Sequence, residues 1–284
     1  MKKTTARNFR EKKASLHERL KRQGNMLLAF SGGKDSFFLL QAALKALGTA
    51  NVLAYFVHTP FTGEAARERV AYFQNKSPFT LREIHIDLFK DVHIHQNSRK
   101  RCFLCKKYMF TALKKEAKRF GIAMVADGST VSDLSENRPG RLALEKLDIA
   151  SPLQDAGLSG PEIAAELKKQ GIKDYYLTSS TCLATRFPYD LTLNAVQIDA
   201  IGRVEYDLLK WGIYPLRVRY MVDGVRIETT EANFHKIIAR NNDLLALCQI
   251  HGFKFVTLDL GGIKSGSWDE LPAVADSTLE GLFR

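Results

Sequence analysis

No run of 18 apolar residues occurs anywhere in the 284-residue chain, so no helix of it is expected to span a membrane. The opening residues, MKKTTARNFREKK, carry charge, but no apolar stretch follows them. A secretory leader is therefore not expected, and a cytoplasmic location is. Cysteine is scarce: Cys102, Cys105, Cys182 and Cys248 are the whole set. In a cytoplasmic chain four thiols do not make a disulfide scaffold, and the reading left is a metal or redox site plus core thiols. Internal repeats and low-complexity tracts are also lacking, which sets aside solenoids and disordered linkers.

What is present is enough apolar residue, 45%, for a real core, and enough length for two domains. Charge is uneven. The net +11 is concentrated in residues 1–23 (nine Lys or Arg, two Glu) and 98–119 (nine Lys or Arg, one Glu), and the remainder is net acidic. Two basic patches suit anionic partners: nucleotides, phosphorylated substrates or nucleic acid. For residues 1–23, a solvated helical face is the competing explanation.

The chain is organised around Asn25–Leu44, NMLLAFSGGKDSFFLLQAAL. A short apolar run ends at glycine and reads as a buried strand; the longer run after it is rich in helix formers and reads as a helix. Between them, Gly32 and Gly33 let the backbone turn sharply and expose N–H groups. Ser31 and Ser36 add hydroxyls, Lys34 adds a charge, and the helix N-terminus adds its dipole. This is an anion cradle suited to phosphate. It is not a Walker A loop, which needs GxxxxGK[ST]. It resembles the SGGxDS loop of the PP-loop ATP pyrophosphatases. That resemblance implies that the loop holds the β,γ-diphosphate of ATP while AMP passes to a carboxylate or carbonyl oxygen.

Further strands are expected at Val52–Val57, Leu81–Asp87, MVAD (residues 124–127) and Ala150–Leu153, with a helix over 63–75. The alternation implies an α/β, doubly wound parallel sheet. Ligands of such sheets sit at the carboxyl ends of the strands, which makes His58 and Thr59 candidates to lie beside the adenine; a loop histidine with no role is the competing explanation for His58. Gly128 follows the fourth strand. His93 and His95 have no third ligand in sequence and read as a loop or strand end. Pro161 begins a helix with Ser159 as its cap. A domain boundary is expected after Tyr189. Beyond it come a long helix over 194–212, a hairpin with an Asp-Gly turn (216–220 and 225–229), a helix over 231–249 and a last strand, Phe253–Leu260. The expected divisions are a basic N-terminal helix (1–23), a PP-loop domain (24–190), a small α+β domain (191–270) and a loose tail (271–284).

Cys102 and Cys105 form a CxxC at the head of a helix, and Cys182 is the third thiol of a possible site. Cys248, in LLALCQI, reads as a core thiol. Structural zinc wants four ligands. Three thiolates on a four-iron cluster leave one iron open, which suggests chemistry rather than structure. Unrelated thiols remain the competing explanation.

The segments AFSGGKDS, RCFLCKKYMF, VADGSTVSDLSENRPG, SPLQDAGLSGPEI, TCLATRFPY, LRVRY followed by RIE, and TLDLGGIKSGS occur in that order from Met26 to Ser267. Together they resemble the LarE-type ATP-dependent sulfur transferases of the PP-loop superfamily. The resemblance implies adenylation of a carboxylate on a nicotinate-derived mononucleotide and replacement of AMP by sulfur. In one branch the sulfur comes from the cysteine at the position of Cys182, which is left as dehydroalanine. In another, three cysteines hold a 4Fe–4S cluster carrying an extra sulfide, and this sequence looks like that branch. Departures are Lys34 for the usual Val, Tyr175-Tyr176-Leu177 for Asp-Lys-Pro, Phe187-Pro188-Tyr189-Asp190 for a PYG ending, and Tyr220-Met221 for His-His.

Lys34 and Mg²⁺ would neutralise the pyrophosphate, with Asp35 or Asp133 as the magnesium ligand. Arg217 and Arg219, two apart on a strand, present two guanidinium groups on one face, suited to phosphate. Arg186 is a further candidate for the substrate's carboxylate or phosphate, and Glu205 and Glu228 resemble family positions near the substrate. A sulfur donor and a homo-oligomer are expected partners. Rival readings are a PP-loop tRNA sulfur transferase, an ammonia-using amide synthetase, and a non-catalytic nucleotide- or zinc-binding scaffold.

Overall fold

A computed structural model describes residues 8–134, 140–177 and 181–264. The first part runs α1 (Phe9–Lys21), β1 (Met26–Ala29), α2 (Lys34–Leu47), β2 (Val52–His58), α3 (Glu64–Lys76), β3 (Thr80–His85), α4 (Val92–His95), α5 (Arg101–Arg119) and β4 (Met124–Ala126). Short helices follow: α6 (Gly140–Lys146), α7 (Pro152–Asp155), α8 (Gly160–Lys169) and α9 (Asp174–Leu177). The last part holds α10 (Ala195–Lys210), β5 (Leu216–Met221), β6 (Gly224–Thr229), α11 (Phe234–Ala239), α12 (Asn241–Ile250) and β7 (Phe255–Leu258).

Strands β1 to β4 form a parallel sheet in the order β3-β2-β1-β4. Side-chain alternation splits each central strand between two cores. Met26, Leu28, Val52, Ala54 and Phe56 pack toward α1, α2, α3 and α8. Leu27, Leu53, Tyr55 and Val125 pack toward α5 and α6. Helices on both faces make the sheet doubly wound, as the sequence pattern implies. The basic helix α1 is docked: Leu16 and Leu20 enter the core, while Lys12 and Lys13 reach Glu162 and Glu166 of α8 at 2.7 and 2.5 Å. Glu162 also bonds the Ser159 backbone N–H at 2.9 Å, closing the capping box expected there.

Two expected elements differ. Ala150–Leu153 is not a strand; Ala150 makes a single bridge to Ala126, and Pro152 then opens α7. Proline has no N–H for a ladder but suits a first helical turn. The helix expected over 231–249 is broken at Arg240 into α11 and α12, after a 3-10 turn at Glu231–Asn233. His93 and His95 lie on the four-residue α4, capped by Asp91.

In the second sheet β6 pairs with β5 antiparallel and with β7 parallel. Its core takes in Phe61, Leu88, Ile94, Leu183, Ala184 and Phe187 from before the expected boundary at 190. The Cys182 segment is thus built into the second core. The tail at 271–284 and residues 135–139 of the polar loop lie outside the described residues. Among the described residues no helix is long and apolar enough to cross a membrane.

Candidate functional site

The SGGKDS segment joins β1 to α2 as the sequence predicts. Gly32 adopts φ +70°, and a Cβ there would stand 3.0 Å from the Ala66 carbonyl and 2.9 Å from Val70 Cγ2. The turn is therefore pressed against α3. Gly33 is the N-cap of α2 with no side-chain cap, so the first N–H groups of the helix keep their capacity for an anion. Ser36 Oγ donates to the Gly33 carbonyl at 2.9 Å and lies 3.2 Å from Ser31 Oγ. Lys34, largely buried, bonds Asp35 Oδ2 at 2.8 Å.

Gly128 closes the other side. A Cβ on it would meet the Ser36 N at 2.9 Å, so β4 delivers its end directly onto the loop. Its neighbour Asp127 is buried and accepts from the Ser129 N–H and from the hydroxyls of Ser129 and Ser151. Lys106 of α5 stands 3.8 Å from the same carboxylate. Asp133 receives the Thr130 N–H and hydroxyl through Oδ2, at 2.7 and 3.0 Å, which shapes the polar loop.

Cys102 and Cys105 occupy the first turns of α5, immediately before Lys106. Cys182 opens the 3-10 turn Leu183–Arg186. The three thiols are electrostatic neighbours, since each of Cys102 and Cys182 acts on Cys105. They do not all lie within 4.8 Å of one another, the spacing of a single bound ion. Cys248 stands apart, fully buried in the second core. Arg101 sits among the three. Its Nη2 is 3.6 Å from Cys102 Sγ, and burial lowers its pKa less than Cys182 and Cys102 raise it. Asn97, wholly buried at φ +53°, accepts from Arg101 and donates to the carbonyls of Phe187 and Pro188. This bond set holds the CxxC helix against the Cys182 segment.

Arg99, Lys100, Arg101, Lys106 and Lys107 flank CxxC, and basic neighbours by themselves are expected to lower thiol pKa values and favour thiolate. The structure reverses this for two of them. Burial pushes Cys105 up to about 12, and the charges of Arg101 and Lys106 only partly offset it. Cys182 is also raised by burial, with Arg101 the largest opposing influence. Its side chain is nonetheless exposed to solvent. Thiolate is the reactive form. In metal-free protein at about pH 8, Cys105 should therefore alkylate far more slowly than an unhindered thiol, which peptide mapping after iodoacetamide treatment will read. Alkylation at the rate of a free cysteine would contradict the burial argument.

The expected substrate residues fall into two buried ion pairs. Arg186 bonds Glu205 through Nε and Nη2 at 2.7 and 2.5 Å, and its Nη1 reaches Thr181 and Thr185. Arg219 bonds Glu228 at 3.0 Å and the Thr185 carbonyl. Arg217 shares the face of Arg219 and donates to the Lys264 carbonyl at 2.7 Å. Glu205 also accepts the Val218 N–H at 3.0 Å, so α10, β5 and the Cys182 segment are tied by one carboxylate.

Sequence reasoning missed Arg69. It lies on α3, beside the turn that packs on Gly32, and is 3% exposed. No hydrogen bond or ion pair joins it to another described residue. Burial lowers its pKa, opposed by Tyr175, Glu205 and Glu68 and reinforced by Arg186. A helical arginine three residues from an apolar anchor carries no sequence signal of this kind. Asp127 was equally illegible, since its partners come from three chain segments. A cavity of about 470 Å³ opens beyond Leu183, between α3 and α10, with Thr59, Thr62, Arg67, Arg203 and Tyr206 among its lining.

His58 lies at the carboxyl end of β2, as expected. Its imidazole stacks on His85 at 4.3 Å, with Nε2 3.1 Å from Glu83.

No family model matches the chain. A protein of Lactiplantibacillus plantarum described as pyridinium-3,5-bisthiocarboxylic acid mononucleotide synthase is 30% identical over 259 residues, covering 91% of this chain and 94% of its own length. An uncharacterized protein of Methanocaldococcus jannaschii is 31% identical over 248 residues, 87% of this chain and 94% of its own. Another, of Synechocystis sp., is 28% identical over 242 residues, 84% and 90% of the two chains. Taken with the four-stranded parallel sheet and the SGGKDS turn, similarity along nearly the whole length shows that this chain belongs to the LarE-type sulfur transferase family of the PP-loop superfamily.

Proposed function

We propose that the protein uses ATP to activate a carboxylate of a pyridinium mononucleotide and replaces the bound AMP with sulfur. The observation that carries this reading is the shared carboxyl end of β1 and β4. Gly128 presses on the phosphate loop, its neighbour Asp127 faces Lys106, and Lys106 follows Cys105. This arrangement supports phosphate chemistry and thiol chemistry meeting at one place.

The carboxylate oxygen attacks the α-phosphorus of ATP and pyrophosphate leaves. The turn N–H groups, Lys34 and the α2 dipole favour the charge that develops on the leaving group. Asp35 and Asp133 are the proposed Mg²⁺ ligands, and His58 the proposed neighbour of the adenine. A sulfur nucleophile then attacks the acyl carbon, a C–S bond forms, and AMP departs with the former carboxylate oxygen.

Cys102, Cys105 and Cys182 fit a 4Fe–4S cluster. Arg101 Nε is a buried donor that no described residue accepts, and the guanidinium beside three thiols offsets their negative charge. Such a cluster, when bound, would carry sulfide at its open iron. The protein's part is to hold the thiols, exclude bulk water around Cys105 and present the acceptor to Cys182. Arg186 and Arg219 spend their donors on Glu205 and Glu228, and so brace this wall. Arg217 and Arg69 are the arginines proposed to meet the acceptor's anionic groups.

The test is anaerobic assay with ATP and the pyridinium dicarboxylate mononucleotide. AMP, pyrophosphate and a thiocarboxylate are expected; ADP as the nucleotide product would overturn the reading.

Arg69→Met removes the charge and keeps an unbranched, shorter apolar chain. Losing one charge-assisted bond costs roughly 1.5–3 kcal/mol, about ten- to a hundredfold in acceptor KM. ATP affinity should not change, and thermal stability should hold or rise, because an apolar group of roughly similar volume relieves an unpaired buried cation. A higher melting temperature with unchanged acceptor KM would make Arg69 a structural residue only.

A further inference from the structure

We propose that His58, Glu83 and His85 form a binding site for a first-row divalent transition ion of the zinc class, separate from the cysteine site. Strands β2 and β3 pair in parallel with His58 opposite His85 and Phe56 opposite Glu83. Alternation along β3 places Glu83 and His85 on one face of the strand. The register then sets His58 beside them. The three side chains offer two imidazole nitrogens and one carboxylate oxygen, all within 4.8 Å of one another.

The donor set selects the ion. Imidazole suits zinc, cobalt, nickel and copper, whereas magnesium and calcium prefer all-oxygen sites. Zinc bonds nitrogen and oxygen at about 2.0–2.2 Å, so two ligand atoms of one tetrahedral ion lie about 3.4 Å apart. His58 Nε2 and Glu83 Oε2, at 3.1 Å, already have nearly that spacing. The edge of Phe56 holds the His58 ring at 4.7 Å between centroids. Only His85 must turn out of its stack, and it is exposed, so solvent opposes the movement little. Three protein donors leave a fourth position for water or an incoming ligand, the pattern of an open rather than a closed zinc site. The site stands at the carboxyl ends of two parallel strands, where ligands of such sheets bind.

The experiment must exclude the thiols, which also take zinc. Full-length protein with Cys102, Cys105 and Cys182 all changed to Ser is titrated with Zn²⁺ by calorimetry and with Co²⁺ by visible absorption. One equivalent of each ion is expected, with Co²⁺ d–d bands and no thiolate charge-transfer band. In the same background, His85→Ala and Glu83→Gln should each weaken Zn²⁺ binding at least about tenfold, since even outer-shell partners of metal ligands cost 10–100-fold. His93→Ala/His95→Ala, on α4, should leave binding unchanged. Absence of Zn²⁺ binding in this triple-Ser protein would overturn the site. So would equal affinity in the His85 and Glu83 variants, or a loss confined to the His93/His95 variant.

Discussion

Alanine at any one of Cys102, Cys105 or Cys182 is expected to bring sulfur transfer to background, while Cys248→Ala leaves it near the wild-type level. Groups that act as one unit are grossly non-additive, so each single variant should be about as inactive as the triple. The structural grounds differ by position. Cys105 is half-buried against Met109 Sδ at 3.6 Å, Cys102 lies against the Arg101 guanidinium, and Cys182 is exposed. Cys248 sits in the second core, where burial raises its thiol to about 11 and no other cysteine acts on it. Its removal leaves a small void and costs on the order of 1 kcal/mol, with no chemical consequence. Iron and sulfide analysis of each anaerobically purified variant separates two sources of sulfur. If Cys182 itself gives up its sulfur, the CxxC variants stay active for a single turnover and only Cys182→Ala is dead. If the three act together, all three lose iron and activity in parallel. Full activity of Cys182→Ala would sink both versions.

Local features of this protein were legible in the sequence, and long-range ones were not. The strand-turn-helix around SGGKDS, the CxxC at the head of α5 and the capping box of α8 each depend on residues a few positions apart. Periodicity and spacing carry such information. The thiol pKa values were misjudged for the converse reason. Lys100, Arg101, Lys106 and Lys107 are visible beside CxxC, whereas the burial that dominates Cys105 comes from the fold. The pairing of Arg186 with Glu205 and of Arg219 with Glu228, 19 and 9 positions away, gave no sign in the sequence. Arg69, Asn97 and Asp127 likewise acquire their surroundings from distant segments. The triad at His58 depends on the register of two strands, which residue types alone do not fix. Apolar Ala150–Leu153 misled because proline marks both a strand end and a helix start, and only the single bridge to Ala126 decides between them.

The two glycines of the phosphate turn should respond differently to substitution. Gly32→Val is expected to destabilise the protein and abolish ATP binding together. Its φ of +70° is left-handed, which costs an L-residue about 1–2 kcal/mol before any clash. A Cβ then meets the Ala66 carbonyl at 3.0 Å and the Val70 N at 3.2 Å, both backbone atoms of α3. Since a helix backbone cannot yield locally, α3 must move, and with it Arg69. Gly33→Ala should instead fold normally. Gly33 has φ −87°, and a Cβ there meets only Ser31 Oγ, at 3.3 Å. Alanine is compatible with that backbone and slightly restrains the unfolded chain, so the melting temperature should hold or rise a little. The added methyl nonetheless projects where a phosphate would approach the loop N–H groups. At least about a tenfold loss of ATP affinity is expected, on the order of one charge-assisted hydrogen bond. Differential scanning fluorimetry and ATP titration on both variants give the comparison. A folded Gly33→Ala protein with unchanged ATP Kd would show that the phosphates bind elsewhere than on this turn.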